Sequence, residues 1–231
     1  MRDFGHIDTW VFDLDNTLYP ASCRLFDQID VKMGTFVAEL LGVDYAEAKR
    51  RQKEMFYKYG TTLRGLMTEH GITPDDFLNY VHDIDHSPVP PNGALDEALH
   101  ALPGRKLIFT NGTVAHAEKV LARIGITHHF GDIFDIVHSD FVPKPEMEPY
   151  RKFVAQTGIR PGTSAMFEDI ARNLEAPHKL GMTTVLVVSP DNRDAEHLNR
   201  ATGGTAQQHI HHVTDDLAAF LGGLVAKRVD T

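Results

Sequence analysis

The chain has 231 residues, of which 42% are hydrophobic, enough for a substantial core in one large or two modest domains. Its formal net charge of -9 argues against nucleic-acid polymers and anionic membranes as partners, because both recruit proteins through basic surface, while a small anionic substrate stays open. Cys23 is the single cysteine, so no intrachain disulfide is expected; the N-terminus lacks a signal-like apolar stretch, no apolar run would span a bilayer, and a cytoplasmic protein is the expectation.

Thr9 to Phe12 is β-branched and aromatic, the pattern of a buried strand. It runs into Asp13-Leu14-Asp15-Asn16-Thr17, which sets two carboxylates at the head of a turn. In open α/β sheets ligands bind at the carboxyl ends of the strands, and these aspartates fall there. A helical stripe follows: Leu25, Ile29, Met33, Phe36, Val37, Leu40 and Leu41 recur at three- and four-residue spacing and stop at Gly42. Asp44 and Glu47 form a capping-box pattern that opens a second helix along Ala48, Met55 and Tyr59, closed by Gly60. Shorter helices are predicted over 62–70 and, after the start signal Thr73-Pro74-Asp75-Asp76, over 77–82.

The Pro-rich stretch from Ser87 to Pro91 leads back to a different architecture. Residues 20–88 are therefore predicted to be a helical insertion, a cap domain, in a core made of residues 1–19 and 89–231. Beyond it, strand-like runs at 106–110, 133–137, 164–167 and 184–188 alternate with helices over 114–124, 146–157 and 170–180. Such alternation predicts an α/β protein with a parallel sheet covered by helices on both faces. Pro177 is predicted to kink or shorten the last of these helices. In the tail, His209 to Val213 reads as a short edge strand, rather than a histidine metal site, followed by a helix capped near Thr214. Thr202-Gly203-Gly204-Thr205 lacks the strand and helix that flank a phosphate loop and reads as a plain loop.

The strand ends carry a complementary chemistry. Asp13 and Asp15 follow the first strand, Thr110-Asn111-Gly112 the second, Lys144-Pro145 the loop after the third, and Glu168-Asp169 the fourth. A carboxylate that attacks phosphorus needs a cation between the two anions. Asp13 is read as nucleophile and metal ligand, Asp169 as a second Mg2+ ligand and Glu168 as a ligand through water. Asp15 is read as the general acid that then activates water. Thr110, with the backbone N–H groups of Asn111 and Gly112, is assigned to the phosphoryl oxygens, and Lys144 to charge neutralisation. Asn173, four residues after Asp169, is placed to steady Lys144 or Asp169 and would equally suit an exposed position on its helix. Tyr59 and Arg64 are candidate substrate contacts that would equally suit packing within the insertion.

These four segments in this order resemble the haloacid dehalogenase superfamily over essentially the whole chain. The resemblance implies a Rossmann-like core, a helical cap inserted after the first motif, an aspartyl-phosphate formed on Asp13, and Mg2+ held in part by the backbone carbonyl of Asp15. The presence of Asp15 resembles phosphatases and phosphotransferases rather than true dehalogenases. Asp13 to Pro20, Thr110-Asn111-Gly112 followed by Ala115-His116-Ala117, and Tyr59 to Gly65 together resemble the pyrimidine 5′-nucleotidase branch, although Glu168-Asp169 stands where many of its members carry two aspartates. The implied activity is hydrolysis of a small phosphate monoester such as UMP or CMP. A phosphoglycolate-like or sugar phosphatase, a phosphomutase, and a non-catalytic regulatory binding protein are the alternatives.

Overall fold

The computed structural model describes residues 4–192, Ala195 and 207–229. The run Thr202 to Thr205, predicted to be a loop, lies outside them. Among the described residues six strands form one sheet: β1 (Thr9–Phe12), β2 (Arg105–Phe109), β3 (Asp132–Phe134), β4 (Ser164–Glu168), β5 (Thr183–Val187) and β6 (His212–Thr214). Their order is β3-β2-β1-β4-β5-β6 and every pairing is parallel. This is a Rossmann-like sheet whose chain moves outward from β1 on one side and then crosses to β4 on the other. The point where the order reverses, between β1 and β4, is where such sheets open a crevice for ligands.

Burial explains the strand sequences. Every residue of β1, β4 and β5 is buried, so these strands read as continuous apolar runs, as strands covered on both faces should. Trp10, Phe12 and Phe167 face one layer with Leu99, Val120 and Leu221, whereas Val11, Phe109 and Met166 face the other with Tyr150 and Phe153. The first layer is built by α5 (Gly93–Ala101), α6 (Val114–Ile124) and α9 (Leu217–Val229), the second chiefly by α7 (Met147–Thr157) and α8 (Glu175–Leu180).

The differences from expectation have local causes. β3 ends at Phe134 rather than 137 because the Asp135 carboxylate accepts the N–H groups of Val137 and His138 at 3.0 and 2.9 Å, which turns the backbone away from the sheet. The segment 170–180 divides into a 3-10 turn at Ala171–Leu174 and α8. Pro177 is the third residue of α8, where a missing N–H leaves no intrahelical bond unmade. Helix α5 was not foreseen; its start is Asn92, whose side chain accepts the Leu95 N–H at 3.0 Å.

Between β1 and β2 the chain forms α1 (Leu25–Leu41), α2 (Tyr45–Tyr59), α3 (Thr62–His70) and α4 (Pro74–Val81). Asp44 caps α2 by accepting the Glu47 N–H, and Gly42 ends α1 at a φ of 62°. Ile29, Val37, Met55, Leu66, Phe77 and Val81 form their common core, joined by Ile136 from the loop after β3. Through Ile136 these helices stand over the carboxyl ends of the strands. Among the described residues no helix is long and apolar enough to cross a membrane.

Candidate active site

Strand register assembles the site. Phe12 pairs with Ile108 on one side and Phe167 on the other, so β1, β2 and β4 run out level with one another. The Asp13 N–H still donates to Phe167 O at 2.9 Å, which fixes the residue at the sheet edge. Lys144 reaches the same edge from the loop after β3. Its ammonium donates to Asp13 Oδ1 at 2.6 Å, Glu168 Oε1 at 2.8 Å and Phe109 O at 3.0 Å, which uses all three of its protons. Asn111 secures the lysine's backbone, its Oδ1 accepting the Lys144 N–H at 3.0 Å.

Glu168, expected to reach a metal through water, stands within the carboxylate cluster and also has both oxygens engaged by the protein. Oε1 also accepts Asn173 Nδ2 at 2.6 Å, and Oε2 accepts the Ile170 N–H at 2.7 Å. Glu168 Oε1 thus ties Lys144 to Asn173. Asp169 Oδ2 accepts Asn192 Nδ2 at 2.6 Å, and Thr17 Oγ1 donates to Asp13 Oδ2 at 3.2 Å.

Charge is unbalanced at this edge. Asp13, Glu168 and Asp169 are buried and offer oxygens within 4.8 Å of one another, against the one ammonium of Lys144. Burial, with the charges of Glu168 and Asp15, pushes Asp13 up to about 7 despite Lys144. Burial and the neighbouring carboxylates also push Asp169 well above the usual carboxylate range. Burial works against the Lys144 charge, but Asp13 and Glu168 hold its proton more tightly than usual. An all-oxygen donor set with excess negative charge is the chemistry that a hard divalent cation such as Mg2+ fits.

Asp15 sits in a different environment. Its Oδ1 accepts the Tyr19 hydroxyl at 2.6 Å and pairs with His116 Nε2 at 3.0 Å. Burial alone would raise its pKa, but the charge and hydrogen bond of His116, with Tyr19, bring it down to about 2. Its Oδ2 lies near Gly112, where a Cβ would come within 3.3 Å of Thr110 Oγ1 and His116 Cδ2 and 3.7 Å of Oδ2, so a side chain at this position would crowd the loop. The Gly112 N–H, assigned from the sequence to a phosphoryl oxygen, donates to Thr110 Oγ1 at 2.9 Å within its own loop.

A cavity of about 840 Å3 opens over these groups, within the range of small-molecule sites. Asp13, Asp15, Thr110, Asn111, Gly112, Lys144, Glu168 and Asp169 form its floor, while Met33, Lys53, Phe56, Tyr57, Leu63 and His82 of the helical segment line its walls. Tyr59 and Arg64 are not among the lining residues. The Tyr59 hydroxyl donates to Glu69 at 2.8 Å, and buried Arg64 Nη1 has no hydrogen-bond partner among the described residues. Sequence reasoning missed Thr17 and Tyr19, each four residues beyond an aspartate it now serves, and that spacing was a usable signal. It also missed the aromatic pair Phe56-Tyr57. His116 lies 101 residues from Asp15, and nothing local connects the two.

The model of the haloacid dehalogenase-like hydrolases matches residues 7–181. The chain belongs to this family of hydrolases. It is 29% identical over 198 residues to phosphate metabolism protein 8 of Saccharomyces cerevisiae, an alignment covering 78% of this chain and 61% of the yeast protein. It is 32% identical over 94 residues to enolase-phosphatase E1 of Klebsiella pneumoniae, covering 39% of each. The chain thus spans less than two thirds of the length of either relative. Among solved structures, the haloacid dehalogenase-type phosphatase of Thermococcus onnurineus superposes with a TM-score of 0.61 at 16% identity, over 94% of this chain and 99% of the other, a likeness of fold.

Proposed function

We propose that this hydrolase is a Mg2+-dependent phosphomonoesterase that works through an aspartyl-phosphate on Asp13. The observation that carries the reading is the pair Asp13 and Asp15 at one sheet edge, the first bonded to Lys144 and the second to Tyr19 and His116. Two carboxylates in such different settings are suited to different tasks. Asp13 attacks phosphorus as the ester P–O bond breaks, and Asp15 gives a proton to the departing oxygen. Asp15 then takes a proton from water, which displaces phosphate from Asp13 and restores the carboxylate. Since Asp15 rests ionised, the proton enters with the substrate: a phosphate monoester has its second pKa at about 6 and arrives partly as the monoanion. Lys144 offsets charge on Asp13, and Thr110 and the Asn111 loop face the phosphoryl group. Asp13 and Asp169, with the Asp15 backbone carbonyl, would hold Mg2+, whose charge lets two anions approach.

Residues 20–88 are read as a cap that selects the leaving group. Phe56 and Tyr57 beside Lys53 offer the cavity an aromatic wall suited to a flat base, which supports a pyrimidine nucleoside 5′-monophosphate as substrate. The phosphatase names of the Klebsiella and Thermococcus proteins agree with the chemistry and leave the leaving group open. Initial rates with Mg2+ on UMP, CMP, AMP, phosphoglycolate and sugar phosphates test the substrate, and preference for a purine or sugar phosphate would overturn it. Wild-type turnover by Asp13→Asn would overturn the nucleophile.

A further inference from the structure

Three histidines are gathered behind Asp15, and the chemistry proposed above gives none of them a step of its own. His116, in the first turn of α6, is buried at 1% exposure, and His86, at the end of the helical segment, is buried at 9%. The ring of His82, the residue that ends α4, lies over that of His116 with centroids 4.7 Å apart and planes 18° from parallel. A buried imidazole is tolerated where its nitrogens are partnered, and both nitrogens of His116 are. Nε2 is 3.0 Å from Asp15 Oδ1 and Nδ1 is 3.1 Å from His86 Nε2. With a proton on Nε2, His116 donates to Asp15 whether its ring is neutral or charged, and a second proton lies along the Nδ1–His86 bond, so each bond sets the direction of the next. Tyr19 donates to the same Oδ1 at 2.6 Å. Two donors on one oxygen fix that end of the carboxylate and leave Oδ2, which has no hydrogen bond among the described residues, beside Gly112 in the cavity floor.

We infer that His116 is a positioning residue that, held by His86 and covered by His82, aims Asp15 Oδ2 at the leaving oxygen of the substrate. The inference rests on the reading of Asp15 as the general acid. His82 belongs to the helical segment and His116 to the core, so the stack joins the helices over the cavity to the carboxylate beneath them. His116 is buried and is not among the residues that line the cavity. Its influence reaches the reaction through the orientation of one carboxylate.

The leaving group supplies the test. A p-nitrophenolate leaves without a proton, whereas an alkoxide needs one, so misdirecting the acid should penalise alkyl esters selectively. His116→Ala is expected to slow the first-turnover release of alcohol from an alkyl phosphate such as glycerol phosphate by about 10- to 100-fold and the burst of p-nitrophenolate from p-nitrophenyl phosphate by less than about 3-fold, both read before the water step that Asp15 also serves and that is common to the two esters. His116→Gln, which keeps an N–H donor near Nε2, should recover much of the loss, and the apolar His116→Leu should not. Equal losses on both esters, or equal activity of the Gln and Leu variants, would overturn the inference. Asp15→Asn separates it from the reading on which it rests: if that variant shows no leaving-group dependence, the acid assignment fails first. If Asp15→Asn shows it and His116→Ala does not, the positioning role alone fails. Should His116→Ala not fold, His86→Ala, which loosens the imidazole from behind, should give a smaller selective loss, and an unselective one would count against the role.

Discussion

Lys144 shows how far one side chain can carry a site. It is 2% exposed and all three ammonium protons are bound, two of them to carboxylates. Lys144→Met would leave Asp13 and Glu168 buried without their cation, and unfolding in urea at pH 7.5 should show a loss of about 3–5 kcal/mol. The loss should shrink at pH 5, where a proton on Asp13 removes one of the charges. His82 gives a second pH effect of opposite sign. Burial and neighbouring His116 lower its pKa to about 4, so the unfolded chain protonates first as the pH falls. The contribution of His82 to stability is thus complete above about 6.5 and declines between about 6.5 and 4, by about 1–2 kcal/mol for a ring partly reached by water. His82→Gln should flatten that part of a stability profile measured by thermal melts. At this scale the sequence was readable where a group and its partner lie on one turn, as with Asp13 and Thr17. It was unreadable for Asp15 and His116, which meet only because two distant strand ends are neighbours.

At the scale of elements, the cavity walls depend on how closely α2 and α3 approach. Gly65 of α3 permits the contact: a Cβ there would lie 2.5 Å from Met55 Cβ on α2. Gly65→Ala must push the helices apart, at about 1–3 kcal/mol of overpacking, and α2 carries Phe56 and Tyr57 into the cavity. The expected outcome is a lower melting temperature and a raised KM for phosphate esters whose leaving group reaches the cavity walls, with kcat on p-nitrophenyl phosphate held within about 3-fold, since the floor of the site is untouched. The core behaves differently. Phe167 stacks on Phe12 with centroids 4.7 Å apart at full burial, so Phe167→Ala should destabilise by about 3–5 kcal/mol, read in urea, and lower activity on every ester alike. Helices α1 to α4 were legible because their stripes and caps are local signals. The early end of β3 was not, since it follows from the side chain of Asp135 bonding backbone ahead of it.

For the whole molecule, metal and stability should be linked. The buried carboxylates outnumber the one lysine among them, so a divalent cation relieves repulsion that the folded state alone must bear. Mg2+ at a hundred times its Kd should add about 2.7 kcal/mol, visible as a rise of about 5–11 °C in Tm that EDTA reverses and that Asp169→Asn reduces. The parallel sheet and its covering helices were legible from alternation along the chain. The division of labour between floor and walls was not, because it depends on which loop lies over which strand.

The level ends of β1, β2 and β4 have a consequence for folding. A strand advances about 3.3 Å per residue, and successive side chains point to opposite faces. If β1 paired one residue out of step, Trp10 and Phe12 would exchange faces with Val11, and Asp13 would miss Lys144 by a whole residue. No partly built site lies between the two pairings. A refolded sample can be compact and rich in secondary structure and yet contain misregistered molecules. Its activity per mole therefore counts the chains that found the native pairing, which makes turnover a stricter gauge of refolding yield than circular dichroism or sedimentation.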